Sequence, residues 1–153
     1  MNANPNVTTA PDETTLELRR VFDASPAAVF DAWLTREQFQ AWIGPEGMNC
    51  EVPVLEPRVG GRYEITMRLA NGQVIPVSGV FHTIERPRRL IFSWGWNGDP
   101  ARQSVISLDF IARGTRTELV LRQEGLGTVT NRDDHGRGWS SALNKLERHL
   151  ASR

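Results

Sequence analysis

The sequence predicts an α+β fold: a curved antiparallel sheet of six to seven strands wrapped around one long C-terminal helix, with two short helices after the first strand. Three observations carry this reading. Apolar and polar residues alternate with period 2 in segments running from about residue 15 to residue 124, punctuated by Gly, Pro and Asn-Gly turns. The last segment changes period: Trp139, Leu143, Leu146 and Leu150 fall at i, i+4, i+7 and i+11, with His135 and Ala142 on the same side, so an amphipathic helix runs from about 129 to 151. The links between the strand segments are short, as in an antiparallel meander, and only that helix is long enough to cover the meander's apolar face.

In chain order, Leu16, Leu18 and Phe22 share one face of the first strand, with Arg20 in phase between them. An arginine there needs a partner, a place at a cavity mouth, or a bulge that turns it out. Ser25 is the N-cap of a helix that opens on Pro26 and places Val29, Phe30 and Trp33 on one face. Thr35 and Gln38 have capping-box spacing, so a second short helix buries Phe39 and Trp42 and stops at Gly44-Pro45. Met48, Cys50, Val52 and Val54 alternate with Asn49 and Glu51. Tyr63, Ile65, Met67 and Leu69 then alternate with Arg62, Glu64, Thr66 and Arg68. Asn71-Gly72 is a hairpin turn, and Pro76 places the start of the returning strand late or at an edge. That strand carries His82 in phase with Val80 and Ile84. The next carries Leu90, Phe92, Trp94 and Trp96 on one face and ends at Asn97-Gly98. Ile106, Leu108 and Phe110 mark a further strand, and Gly114-Thr115 turns into the last.

Composition narrows the function classes. The 153 residues fit a single domain, read as 14–153 behind a disordered tail over 1–13. Eighteen Lys plus Arg balance eighteen Asp plus Glu, so no net field favours nucleic acid or an anionic membrane surface. Cys50 is the only cysteine, which excludes an internal disulfide and every CxxC motif; in its alternating run it reads as a small buried hydrophobe. No leader pattern and no stretch of about 18 apolar residues is present, so the expectation is a cytoplasmic protein without membrane insertion. Asn6-Val7-Thr8 matches a glycosylation sequon, without the secretory context that would give it meaning. The "EGLGTVT" segment at 124–130 lacks the third Gly and the Lys of a phosphate loop, and no HExxH, GxSxG or metal-spaced cluster occurs. Neither a cofactor nor a metal is expected.

The segments "RRVFDASPAAVFDAWLTREQFQAWIGPEG", "LEPRVGGRYEI", "GVFHTIERPRRLIFSW", "GTRTELVL" and "HGRGWSSALNKLERHL" together resemble the START-like (SRPBCC) superfamily. Within it the chain is similar to the branch named for activators of the 90-kDa heat-shock protein ATPase. The resemblance spans residues 15–151 and implies a helix-grip (START-like, Bet v-like) fold, with a mostly apolar cavity between the sheet and the long helix. Members bind lipids, polyketides or other hydrophobic molecules, some are cyclases, and others assist a chaperone. Chaperone binding is the weaker implication, because the eukaryotic activators carry a separate N-terminal chaperone-binding domain for which this chain has no room.

The function expected is therefore binding of a small hydrophobic ligand (lipid, polyketide or aromatic metabolite) for sequestration or carriage, by a monomer or weak dimer. The aromatic and thioether positions in phase make the ligand-contacting candidates Trp33, Trp42, Met48, Tyr63, Met67, His82, Phe92, Trp94, Trp96, His135, Trp139 and Leu143. On the opening strand of that set, Phe92 belongs to the core, Trp94 to the cavity wall and Trp96 to its mouth. Two alternatives stand beside this reading. One is a cyclase or aromatase using Tyr63, His82, His135 and Arg20 to hold a substrate and move protons. The other is a chaperone-cofactor-like interaction module presenting Trp42 or Trp96 to a partner.

Overall fold

The structure, a computed structural model, describes residues 13–99 and 103–152. β1 (Leu16–Phe22) leads into α1 (Pro26–Leu34) and α2 (Arg36–Trp42). Then come β2 (Asn49–Leu55), β3 (Arg62–Arg68), β4 (Val74–Glu85), β5 (Arg89–Trp96), β6 (Gln103–Arg113), β7 (Arg116–Glu124) and α3 (Val129–Ala151). The strands form one antiparallel sheet in the order β1-β7-β6-β5-β4-β3-β2. Strands β2 to β7 pair with their chain neighbours, as their short loops require, while α1 and α2 carry the chain from one edge of the sheet to the other. Apart from Glu13, the tail expected over 1–13 lies outside the described residues, as does the sequon. No described helix is long and apolar enough to cross a membrane.

Local chemistry accounts for the helix ends. Ser25 caps α1, its Oγ accepting from the Ala28 N–H at 3.2 Å with Pro26 behind it. The capping box expected at Thr35 is not formed. Thr35 closes α1 with its own N–H and opens α2 without a side-chain cap, and the Gln38 amide oxygen lies 3.0 Å from His149 Nε2 on α3 instead. Tertiary contact with α3 has taken the side chain that a local cap would use. Strand β2 bulges between Glu51 and Val54, which removes the buried Val52 from the regular ladder. Two α2 side chains satisfy its backbone: Gln40 Oε1 accepts from the Val52 N–H at 2.8 Å, and Arg36 Nε donates to its carbonyl at 2.7 Å.

Thr128 caps α3 through the Asn131 N–H, and Arg148 and His149 occupy its last turn, where positive charge is favourable. The face expected to pack does so: Trp139, Ala142, Leu143, Leu146 and Leu150 are buried against the sheet. Trp33 of α1 sits among the rings beneath it, 4.6 Å from Trp42, 5.7 Å from Trp139 and 6.3 Å from Phe92. Arg20 resolves as a paired residue: its guanidinium donates to Asn144 Oδ1 at 2.7 Å and to the Ser140 carbonyl at 3.3 Å, with Glu147 at 3.7 Å. It ties the edge strand β1 to the flank of α3.

The sheet bends where β4 meets β5. Their pairing lapses between Ser78–Gly95 and Phe81–Phe92, and the register then shifts by one residue at His82. In the lapse, Ser93 Oγ accepts from the Val80 N–H at 2.9 Å, and the Ser93 carbonyl accepts from the Tyr63 hydroxyl at 2.6 Å. Tyr63 crosses directly over Gly79, where a Cβ would lie 2.0 Å from the Ser93 oxygen and 2.6 Å from the tyrosine ring. Only glycine admits that crossing. Replacing Tyr63 by Phe leaves the Ser93 carbonyl without its donor and is expected to lower stability by about 1–3 kcal/mol in urea titration, with the denaturant slope unchanged.

Asp31 of α1 receives both arms of Arg86, at 2.9 and 2.8 Å, which anchors the helix to the turn after β4. These hydrogen bonds hold the Asp31 carboxyl below its ordinary value of 3.8. Its contribution to stability is therefore full above the unfolded value and lost as pH falls through the lowered folded one. Both side chains are substantially exposed, so solvent screening keeps that contribution small. Asp31→Asn should be slightly less stable than the parent at pH 6, and the difference should shrink as the pH is lowered below about 4, a trend readable from paired thermal melts.

Candidate functional site

The N-terminal part of α3 borders open space as well as core. Along it Asn131, Asp134, His135, Gly138, Trp139 and Ala142 recur at i, i+3, i+4, i+7, i+8 and i+11, and they roof a cavity of about 210 Å³. Met67 of β3 with Trp94 and Trp96 of β5 form the floor and far wall, and Ile43, Gly44, Pro45 and Met48 close the near side. The surfaces are indole, thioether and aliphatic. Asp134 and the half-buried Trp96 mark the rim. Two features make room for it. Ala142 presents a short side chain, and Gly138 none, at a position where a Cβ would meet only Pro45 at 3.7 Å.

A buried polar chain fixes the walls. Trp139 Nε1 donates to Gln123 Oε1 at 2.9 Å, Gln123 Nε2 donates to Ser104 Oγ at 2.8 Å, and the Ser104 hydroxyl reaches the Trp94 carbonyl at 3.4 Å. Gln123 and Ser104 are both buried. Each link satisfies a polar group that burial would otherwise penalise, so roof and wall are held at one separation. His135 Nδ1 lies 3.0 Å from the Asn131 carbonyl, which can only accept, so this nitrogen carries the proton. Its ring stands edge-on to Trp96 at 5.4 Å and to Trp94 at 6.5 Å.

The near side is pinned to α3 by three side chains. Lys145 Nζ donates to the carbonyls of Ile43 and Gly44 at 3.3 and 3.2 Å, Ser141 Oγ accepts from the Glu46 N–H at 2.8 Å, and Arg148 pairs with Glu46 at 2.5 Å. Gly44 has φ +87°, and a Cβ there would sit 2.4 Å from Cys50 Sγ. Burial pushes the Cys50 thiol up, with Lys145 opposing; expected as a buried hydrophobe, the side chain is half-buried and packs against the core. Among the described residues, no group of three or more His, Cys, Asp and Glu is placed to hold a metal ion.

Of the residues expected to contact a ligand, Met48, Met67, Trp94, Trp96, His135 and Trp139 come together at this cavity. Trp33, Tyr63 and Phe92 lie deeper, around a void of about 10 Å³, and act as core. Burial drives the Tyr63 phenol well above its ordinary range, so it donates to Ser93 as a neutral hydroxyl and is no acid or base at neutral pH. Trp42 is fully buried with its Nε1 bonded to the Ala32 carbonyl, and Leu143 packs in the core. His82 stands exposed at the bulge on the far face of the sheet. The register shift at His82 breaks the period-2 run: Val77 and Phe81 face the core before it and Ile84 packs against the core opposite Leu90 after it, while Val80 and His82 are exposed. Sequence reasoning missed Asn131, Asp134 and Gly138, which the helical spacing from His135 and Trp139 could have found. It also missed Ile43, Gly44 and Pro45, whose position depends on long-range bonds to α3.

Comparison with known proteins agrees with this architecture. A protein from Chromobacterium violaceum has the same fold at 24% identity, covering 91% of this chain and 98% of that chain, with a TM-score of 0.84. One from Arthrobacter aurescens has it at 21% identity, covering 96% and 92%, with a TM-score of 0.83. The AHSA1 protein from Silicibacter pomeroyi is 30% identical over 90% of this chain and 97% of its own, with a TM-score of 0.78. No functionally curated protein matches the sequence. Residues 23–151 match the family described as Activator of Hsp90 ATPase homolog 1-like protein, and with its seven-stranded helix-grip sheet the chain belongs to that START-like family.

Proposed function

We propose that this protein binds a small hydrophobic molecule of one or two rings in the cavity beneath α3, for sequestration or carriage. The observation that carries the reading is a cavity with three indole and two thioether groups in its wall, kept open by a satisfied polar chain instead of collapsing into core. Size selects the class. An apolar cavity of about 150 Å³ accommodates benzene, whereas drug-sized ligands occupy about 300–1,000 Å³. At about 210 Å³ the space suits a substituted or bicyclic ring better than an acyl lipid or an extended polyketide.

The two alternatives have less support. Of Tyr63, His82, His135 and Arg20, only His135 reaches the cavity, so a cyclase would work with one imidazole and no second polar group from that set. An interaction module built on tryptophan would need Trp42 or Trp96 on the surface. Trp42 is fully buried, and Trp96 is half-buried at the cavity rim.

Titration with bicyclic aromatics such as naphthalene, followed by tryptophan fluorescence, should show saturable binding, and palmitate should compete poorly. Gly138→Leu projects a side chain into the cavity and should weaken binding at least about tenfold. Gly138→Ala should raise stability by about 0.5–1 kcal/mol through helix propensity. Absence of any saturable signal, or preference for palmitate, would refute the reading.

A further inference from the structure

The charge at the mouth of the cavity has one sign. Among the described residues lining it, Asp134 is the single formally charged side chain, and no lysine or arginine joins it. Neighbouring cations are engaged elsewhere: Arg132 turns to Asp133 and to the Glu13 carbonyl, and Lys145 donates to the Ile43 and Gly44 carbonyls. Arg137 does pair with Asp134, but it reaches Oδ1 alone, and the two side chains are 73% and 56% exposed. An ion pair so exposed contributes little, so it can yield to a second cation or share the carboxylate with it. A carboxylate accepts on both oxygens, and Oδ2 makes no hydrogen bond with the described residues. Asp134 is the sixth residue of α3, past the first turn, where the positive end of the helix dipole has faded.

The groups beside Asp134 favour the same chemistry. Asn131 lies one helical turn earlier and also lines the cavity. Its Nδ2 donates to the Leu126 carbonyl at 2.9 Å, which commits the nitrogen side of the amide to the loop and leaves the oxygen as an acceptor. The His135 Nδ1 proton is taken by the Asn131 carbonyl. At the rim α3 therefore offers acceptors, one of them anionic. Trp96, half-buried at the same rim, adds an indole, the ring that best receives a cation over its face. An ammonium group has three donors and no acceptor, which suits this rim. A ligand carboxylate would instead meet Asp134 as a like charge, with no cation in the lining to offset it.

Resting on the proposed aromatic-binding function, we infer that the ligand is an arylalkylamine: a one- or two-ring aromatic held among the indoles and thioethers, with a protonated amino group on a short linker that reaches Asp134 at the mouth. Asp134 is thereby the residue that selects the ligand's charge.

1-Naphthylmethylamine, 1-naphthalenemethanol and 1-naphthoate share one ring system and differ in the charge of the polar end. At neutral pH and low ionic strength the amine should bind about fivefold tighter than the alcohol, with the carboxylate weakest. In Asp134→Asn the amine-to-alcohol affinity ratio should fall to about one. Asp133→Asn, which removes a carboxylate outside the cavity lining, should leave the ratio nearly unchanged. Two readouts use the unmutated protein. Raising the salt to about 0.5 M should erase most of the amine's advantage, and the amine, but not the alcohol, should shift the Asp134 carboxyl carbon resonance. An alcohol or carboxylate that binds as tightly as the amine, or an amine advantage that survives Asp134→Asn, overturns the inference while leaving the aromatic-binding cavity intact. Failure of all three probes to bind overturns the cavity reading together with the inference.

Discussion

The architecture depends on where α3 is held above the sheet, and the bond between Trp139 Nε1 and Gln123 sets that height. An amphipathic helix driven only by burial would settle until its side chains filled the concave face, since apolar contact has no preferred separation. Here the C-terminal half of α3 does settle, through Leu143, Leu146 and Leu150. The N-terminal half does not. The indole of Trp139 is held by an amide that is itself held by Ser104, and beyond it the helix offers Gly138 and Ala142 where bulkier residues would close the gap. One helix is thereby core at one end and roof at the other.

This division explains why the fold was more legible in the sequence than the site. Strand periodicity, the Ser25-Pro26 helix start and the apolar stripe of α3 are local signals, and each produces its element without help from elsewhere. The site depends on relations between elements. Arg36 and Gln40 satisfy the bulged Val52, Lys145 and Ser141 seat the loop after α2, and none of these pairs has a spacing in sequence that announces it. Gln38 shows the competition directly, because a local cap and a distant histidine wanted the same side chain and the distant one won. His82 shows a different limit: the bulge there shifts the phase within β4, so Val80, His82 and Ile84, in phase in the sequence, do not share a face.

The glycine in the roof lowers stability relative to an ordinary helix interior. Features of that kind are expected at binding sites, where the surrounding fold sustains them and a ligand offsets them. The supporting lattice is correspondingly firm. Tyr63 and Ser93 close the gap in the β4–β5 ladder, and Arg20 fastens the edge strand to the helix.

Methionine methyl NMR tests the central claim most directly. Met48, just before β2, and Met67 of the neighbouring β3 both line the cavity, and their methyl signals report on any ring placed against them. Adding naphthalene to protein labelled at the methionine methyls should shift both signals saturably, as aromatic ring currents demand. Signals from Met48 and Met67 that stay unmoved up to the solubility limit of naphthalene would mean the space beneath α3 does not admit a ring, and would contradict the account.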